Sequence, residues 1–298
     1  MSLLIGCGNT ASDSASDTVT ASPSLNLAED SQSLGSGVNQ NDEWTPQTEI
    51  INGVEMALVP AGCFSLGSTD QQVDDARRYC EAVRGEGRCQ HSWYQNEQPV
   101  IEHCFQEPFW MDVYEVTNAQ YGSSGTWDGD NLPREQVNWA EAVTHCESRG
   151  ARLPTEVEWE YAARGPDGLV FPWGNEFERS FLNSCDRDCI FNLIGIRVDD
   201  GFAYTASVGS YPEGASWVGV MDMSGNLWEW TSSIYESYAN APSDSWDSPG
   251  DSESIRIVLR GGSWMHCGVD LLRSAARYPV NPEYVDRVLG FRCVTSSP

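Results

Sequence analysis

Apolar positions in this chain come in short bursts separated by glycine, proline and polar residues, the rhythm of brief strands rather than of long helices. Glu55-Met-Ala-Leu-Val59 and Cys63-Phe-Ser-Leu66 are two such bursts, with Pro60-Ala-Gly62 as the turn between them. Val100-Ile-Glu-His-Cys-Phe105 and Phe109-Trp-Met-Asp-Val-Tyr114 predict two more strands. Between the pairs, Ser68 to Pro99 is polar and carries Cys80 and Cys89, which predicts a loop stapled to itself. Two helices have local start signals. Asn138 with Glu141 forms a capping-box pattern, and Trp139, Ala142, Val143 and Cys146 follow at helical spacing until Gly150. Thr155 with Glu158 opens a second helix from Glu156 to Ala163, ended by Gly165-Pro166. From Phe171 to Val294 there is little regular period, and a long irregular stretch inside a compact domain needs disulfides or bound ions to hold it.

Charge narrows the function. Among 298 residues there are 44 acids and 17 basic residues, a net charge of −27, and every basic residue is arginine. Such a chain repels a polyphosphate backbone and has no basic patch, so a nucleic-acid partner is not expected. The absence of lysine excludes Schiff-base catalysis, a pyridoxal-phosphate anchor and a P-loop. A salt-adapted surface would have the same acid excess. Ten cysteines argue for an oxidising compartment. The longest weakly polar stretch, near Ala57 to Phe64, is far too short to span a bilayer. Residues 8–45 hold six acids, no basic residue and hardly any large apolar side chain before Trp44, which predicts a disordered polar tether. Ahead of it, Leu4-Ile5-Gly6-Cys7 resembles the end of a bacterial lipoprotein signal. Residues 1–7 would then be its remnant, with Cys7 lipidated, and membrane contact would come only through that anchor.

Six blocks, in order, carry a family resemblance: Phe109-Trp-Met-Asp-Val-Tyr-Glu-Val-Thr-Asn118, Arg152-Leu-Pro-Thr-Glu-Val-Glu-Trp-Glu-Tyr-Ala-Ala-Arg-Gly165, Phe171-Pro-Trp-Gly-Asn175, Met223-Ser-Gly-Asn-Leu-Trp-Glu-Trp230, Arg260-Gly-Gly-Ser-Trp264 and Leu289-Gly-Phe-Arg-Cys-Val294. Together they resemble the formylglycine-generating enzyme or sulfatase-modifying-factor family. The resemblance implies one α+β domain over 46–298, a variant of the C-type-lectin fold with low regular secondary structure. It also implies two calcium sites. Asn183, Ser184, Asp200 and Phe202 match the first ligand pattern, and Asp222, Gly225, Leu227 and Glu229 the second. Mixed carboxylate, amide and carbonyl oxygens suit that ion. In the alternative reading Asp200 caps a turn and Glu229 is a satisfied core carboxylate. Trp228 and Trp230 read as core aromatics.

The family's bridge between its first helix and its terminal block falls on Cys146 and Cys293, and would close a loop worth about 4 kcal/mol. A second family bridge maps onto Ala163 and Ser274, both of which lack sulfur. For the remaining cysteines, Cys63 and Cys104 lie on strands that can be neighbours, Cys80 and Cys89 share a loop, and Cys185 and Cys189 are close in sequence. If Cys7 is lipidated one cysteine is left over, and Cys267 is the candidate, unless it bridges to Cys185 or Cys189.

Oxidising members of the family convert a substrate cysteine to formylglycine with a cysteine pair that binds copper(I), a soft metal suited to thiolates. Here Arg260-Gly-Gly-Ser-Trp264 is followed by Met265-His266-Cys267-Gly268, with one cysteine where the pair requires two. Copper is therefore not expected, and His266 with Cys267 is the residual candidate for redox or catalytic chemistry. Ser263 near His266 lacks the spacing of a hydrolase triad. His91, His103 and His145 have no ligand spacing. The family's iron-dependent sulfoxide-synthase branch needs a further histidine-bearing helical domain. The expectation is thus a secreted or periplasmic, lipid-anchored bacterial surface protein that binds a protein or peptide partner, or a glycan by lectin analogy, as a scaffold or accessory. The alternative is a divergent cysteine-dependent oxidase.

Overall fold

A computed structural model describes residues 37–185, 200–240 and 255–296. Its strands are β1 (Thr48–Ile51), β2 (Val54–Val59), β3 (Gly62–Leu66), β4 (Ile101–Phe105), β5 (Phe109–Asp112), β6 (Trp228–Ile234), β7 (Ile257–Arg260), β8 (Tyr278–Val280), β9 (Leu289–Gly290) and β10 (Val294–Thr295). Its α-helices are α1 (Asp70–Arg84), α2 (Asn118–Tyr121), α3 (Trp139–Ser148) and α4 (Glu156–Arg164).

The strands form three small sheets: β1-β2-β5-β10, the β3-β4 ribbon, and β8-β7-β6-β9. Pairing is antiparallel except between β6 and β9. Asn52 and Gly53, at φ of 50° and 83°, turn β1 into β2 in the left-handed region that asparagine and glycine tolerate. Although β2 and β3 are nearly contiguous, they belong to different sheets. The Pro60-Ala61 step takes the chain from one to the other, and Cys63 bonds across the ribbon to Cys104.

Both capping boxes form as the sequence predicts, Asn138 accepting from Glu141 N–H and Thr155 from Glu158 N–H. The stretch Ser68 to Pro99, expected to be a loop, instead contains the 15-residue α1. Thr69 and Gln72 cap it, and only Val73, Ala76 and Cys80 form its buried stripe. The Cys80–Cys89 disulfide then ties the helix's last turns to the loop that follows. The fold also starts earlier than residue 46. Val38 bridges Gly62, Asn41 donates from Nδ2 to the Arg164 carbonyl, and Trp44 packs on the core.

One apolar core gathers Ala57, Val59, Met111, Trp159, Tyr161 and Met223. A second joins Trp139, Cys146, Trp230 and Phe291, and there the Cys146–Cys293 disulfide links α3 to the chain's end. Buried ion pairs join α4 to β7 and to the residue before β8. Arg260 and Arg277 hold Glu156, Arg260 also holds Glu160, and Arg164 reaches Glu160 from the other side. The acid excess is therefore only partly a solvated surface: ten of the described carboxylates are buried.

Candidate functional site

The site grows from the end of β7. Arg260 is fully buried and anchors the strand, after which Gly261 and Gly262 take φ of 95° and 77° and turn the chain back. The turn closes on itself through His266, whose backbone N–H donates to the Ser263 carbonyl. The His266 Nδ1 accepts from the Ser263 N–H at 3.0 Å and lies 2.9 Å from Ser263 Oγ. Trp228 meets the imidazole edge-on at 5.4 Å. Burial pushes the ring's pKa down to about 4, opposed by the Ser263 contact and assisted by the positive charge of Arg84. Among the described residues no carboxylate bonds to His266, so the Ser263–His266 contact lacks the group that would orient a catalytic base.

Cys267 is not the unpaired cysteine. It forms a disulfide with Cys185, 82 residues away, with a Cα separation of 4.7 Å. The bridge is backed by a bond from Cys185 N–H to the His266 carbonyl. Proximity in sequence had favoured Cys185 with Cys189, but Cys189 lies outside the described residues, as does Cys7.

Immediately before Cys185, Asn183 is buried. Its Nδ2 donates to the Tyr204 carbonyl at 2.8 Å and to Asn226 Oδ1 at 3.0 Å, while its Oδ1 is buried without a partner among the described residues. Asp200 folds beside it, accepting from the N–H of Ser184 at 3.4 Å and of Phe202 at 2.9 Å. An orphaned amide oxygen next to a carboxylate fits part of the oxygen set a calcium ion would use. At Gly225, φ is 83° and an added Cβ would come within 2.2 Å of the Asn183 carbonyl, so only glycine lets the two segments touch.

The second foursome differs. Asp222 accepts from Gly209 N–H at 2.7 Å, and burial raises its pKa to about 6. Glu229 has both oxygens engaged, by Arg292 at 2.7 Å each and by Trp159 Nε1 at 2.8 Å. A cation there would have to share Glu229 with a guanidinium, so these residues do not fit calcium as the first four do. Behind them Glu115 is buried and its pKa is raised well above normal, first by burial and then by Asp222 and Glu229.

The Met265–Leu271 loop borders a cavity of about 810 Å³ whose far wall is the end of α1 and the loop after it. His266 and Cys267 lie on one side, and Arg84 and Arg88 on the other. Sequence reasoning missed both arginines, because it read their segment as a stapled polar loop and not as a helix whose end faces this cavity. The one available signal was two cationic residues inside a short loop between two cysteines.

With this geometry in place, the sequence model of the sulfatase-modifying factor enzyme 1-like domain matches residues 41–297. The chain belongs to that family. Its relatives include the inactive C-alpha-formylglycine-generating enzyme 2 of Mus musculus, 35% identical over 179 residues that cover 58% of this chain and 52% of that one. The chain thus spans about half the length of that relative. The formylglycine-generating enzyme of Thermomonospora curvata is 32% identical over 234 residues, covering 74% of each chain. Among solved structures, PvdO from Pseudomonas aeruginosa aligns with a TM-score of 0.63 at 23% identity, over 84% of this chain and 98% of that one. These likenesses establish the expected α+β, formylglycine-generating-enzyme-like fold, related to the C-type lectins, for the described domain. The family thus contains both enzymes and members named inactive.

Proposed function

We propose that this sulfatase-modifying-factor-like domain is a binding or accessory module that does not oxidise cysteine to formylglycine. The observation that carries the reading is the Cys185–Cys267 disulfide. Oxidation by a copper(I) dithiolate requires two reduced sulfurs in the loop after the Gly-Gly-Ser turn. This loop supplies one, and that sulfur is already bonded to another segment. His266 adds little, since its Nδ1 is turned to Ser263 and its ring stays neutral at pH 7. Relatives named inactive lend the same reading support.

The compartment follows from the sulfur chemistry. Four disulfides among the described residues suit an oxidising, extracytoplasmic setting, and no described helix is long and apolar enough to cross a membrane. Lipidation at Cys7 and a partner that is a protein or peptide remain part of this proposal. So does one calcium ion held by Asn183 Oδ1, the Ser184 carbonyl, Asp200 and the Phe202 carbonyl. Its role would be to cross-link the Asn183–Cys185 segment to Asp200, stiffening the wall that carries the disulfide.

The test is an oxygen-uptake assay with copper(I) and a cysteine-containing peptide, read alongside mass mapping of the disulfides. A Cys185–Cys267 cross-linked peptide and no uptake above the blank are expected. Stoichiometric copper(I) binding with formylglycine in the peptide would overturn the reading in favour of a divergent oxidase.

A further inference from the structure

Nine arginines are committed to carboxylates among the described residues. Arg149, Arg152, Arg164, Arg260, Arg273, Arg277 and Arg292 each hold a carboxylate, and Arg77 and Arg78 pair within α1. Arg84 and Arg88 are not among them, and the two face the same cavity. Both are exposed, and among the described residues neither guanidinium has an ion pair or a hydrogen bond. In a chain with 44 acids, two exposed cations without a contacting carboxylate on one cavity wall depart from the acidic character of the rest of the surface.

The pair is also held in place. Both arginines lie between Cys80 and Cys89, which are buried and bonded to each other, so a disulfide closes the loop that presents them. Arg84 lies over the Trp93 ring, its Cζ 5.7 Å from the centroid. The remaining walls are mostly apolar: Val83, Met265, Leu271 and Tyr278, the last stacked on Trp228 at 5.6 Å. The one acid on the lining, Asp270, is buried, accepts from Tyr94 Oη at 2.9 Å and also interacts through space with Arg273 and Arg84. A volume near 800 Å³ lies in the range of small-ligand sites.

We infer that this cavity binds an organic anion, with a carboxylate or phosphate head taken by Arg84 and Arg88 and an apolar body resting on Met265, Leu271 and Tyr278. Planar oxyanions match the guanidinium fork, and pre-setting the two arginines by the disulfide lowers the ordering entropy lost on binding. The head group can belong to a free small molecule or to an acidic side chain of a peptide, and the two share this chemistry. The inference rests on reading the cavity as a binding surface. Oxygen uptake would defeat that reading while leaving the anion titration informative.

The experiment is a tryptophan-fluorescence titration of the intact chain, with binding confirmed by ligand-observed NMR. Probes are phenylacetate, phenyl phosphate and N-acetyl-Phe-Asp-amide, with phenylacetamide and N-acetyl-Phe-Asn-amide as neutral controls. Each anion should bind at least about tenfold more tightly than its neutral counterpart. R84Q and R88Q should each weaken the anions about tenfold, with the melting temperature unchanged because both side chains are exposed. C80S/C89S should weaken anion binding although both arginines are present. A tighter peptide probe assigns the head group to a protein partner, and a tighter small acid assigns it to a metabolite-sized ligand. Equal affinity for charged and neutral probes, no saturation up to about 10 mM, or unchanged affinity in R84Q and R88Q would overturn the inference.

Discussion

Arg292 closes on Glu229 with two nitrogens, each at 2.7 Å from a carboxylate oxygen, and both side chains are fully buried. The remaining donors reach the carbonyls of Asp112, Val113 and Met221, so one guanidinium ties together β6, the end of β5 and the segment before β6. Removing one partner leaves a buried charge uncompensated. R292M is expected to lower unfolding free energy by about 3–5 kcal/mol, and E229Q by a similar amount, measured by urea denaturation. A loss below about 1 kcal/mol would mean that the pair is not buried in solution.

The Cys146–Cys293 bridge spans 147 residues of sequence and links α3 to the residue before β10. C146A/C293A should destabilise the domain by about 4 kcal/mol, while C80A/C89A, closing 9 residues, should do less. Urea midpoints of the two double variants give the comparison, and the reverse order would contradict the placement of the long bridge.

His266 sets an acid sensitivity. Its pKa lies near 4 in the fold and near 6.5 in the unfolded chain, so between those values the unfolded state binds the extra proton. Stability contributed by the neutral ring is therefore complete above about pH 6.5 and is lost as pH falls towards 4. The loss is at most about 3 kcal/mol, less to the extent that water enters the cavity beside the ring. H266N should flatten this limb of a stability–pH curve; an unchanged slope would show that other groups carry it.

Calcium, if held at Asn183 and Asp200, stabilises the folded state by mass action, about 2.7 kcal/mol at a hundred times its dissociation constant. A chelator should lower the melting temperature of the wild type and leave D200N, already lacking a ligand charge, nearly unmoved. No chelator effect together with no calcium in elemental analysis would remove the ion from the account.

What could be read beforehand was local. The boxes at Asn138 and Thr155 are set by contacts three residues apart, so the sequence contains the whole rule. Helix α1 obeys the same rule at Thr69 and Gln72, yet its buried stripe is only Val73, Ala76 and Cys80, too thin to stand out from a polar background. Sheet membership and the Cys185–Cys267 bond depend on where distant segments meet, and spacing along the chain is silent on that. The resemblance-derived ligand sets were legible as residue types. Whether Glu229 faces a metal or a guanidinium is decided by Arg292, which lies 63 residues further along.

The closed loop between Cys80 and Cys89 has a further consequence. Lacking lysine, this chain offers trypsin-like proteases only arginines, and several of those are sealed in the core. Arg84 and Arg88 are exposed and lie inside the loop, so they are natural places for a cut. A chain nicked at either one stays covalently whole: its two pieces are held by sulfur and separate only on reduction.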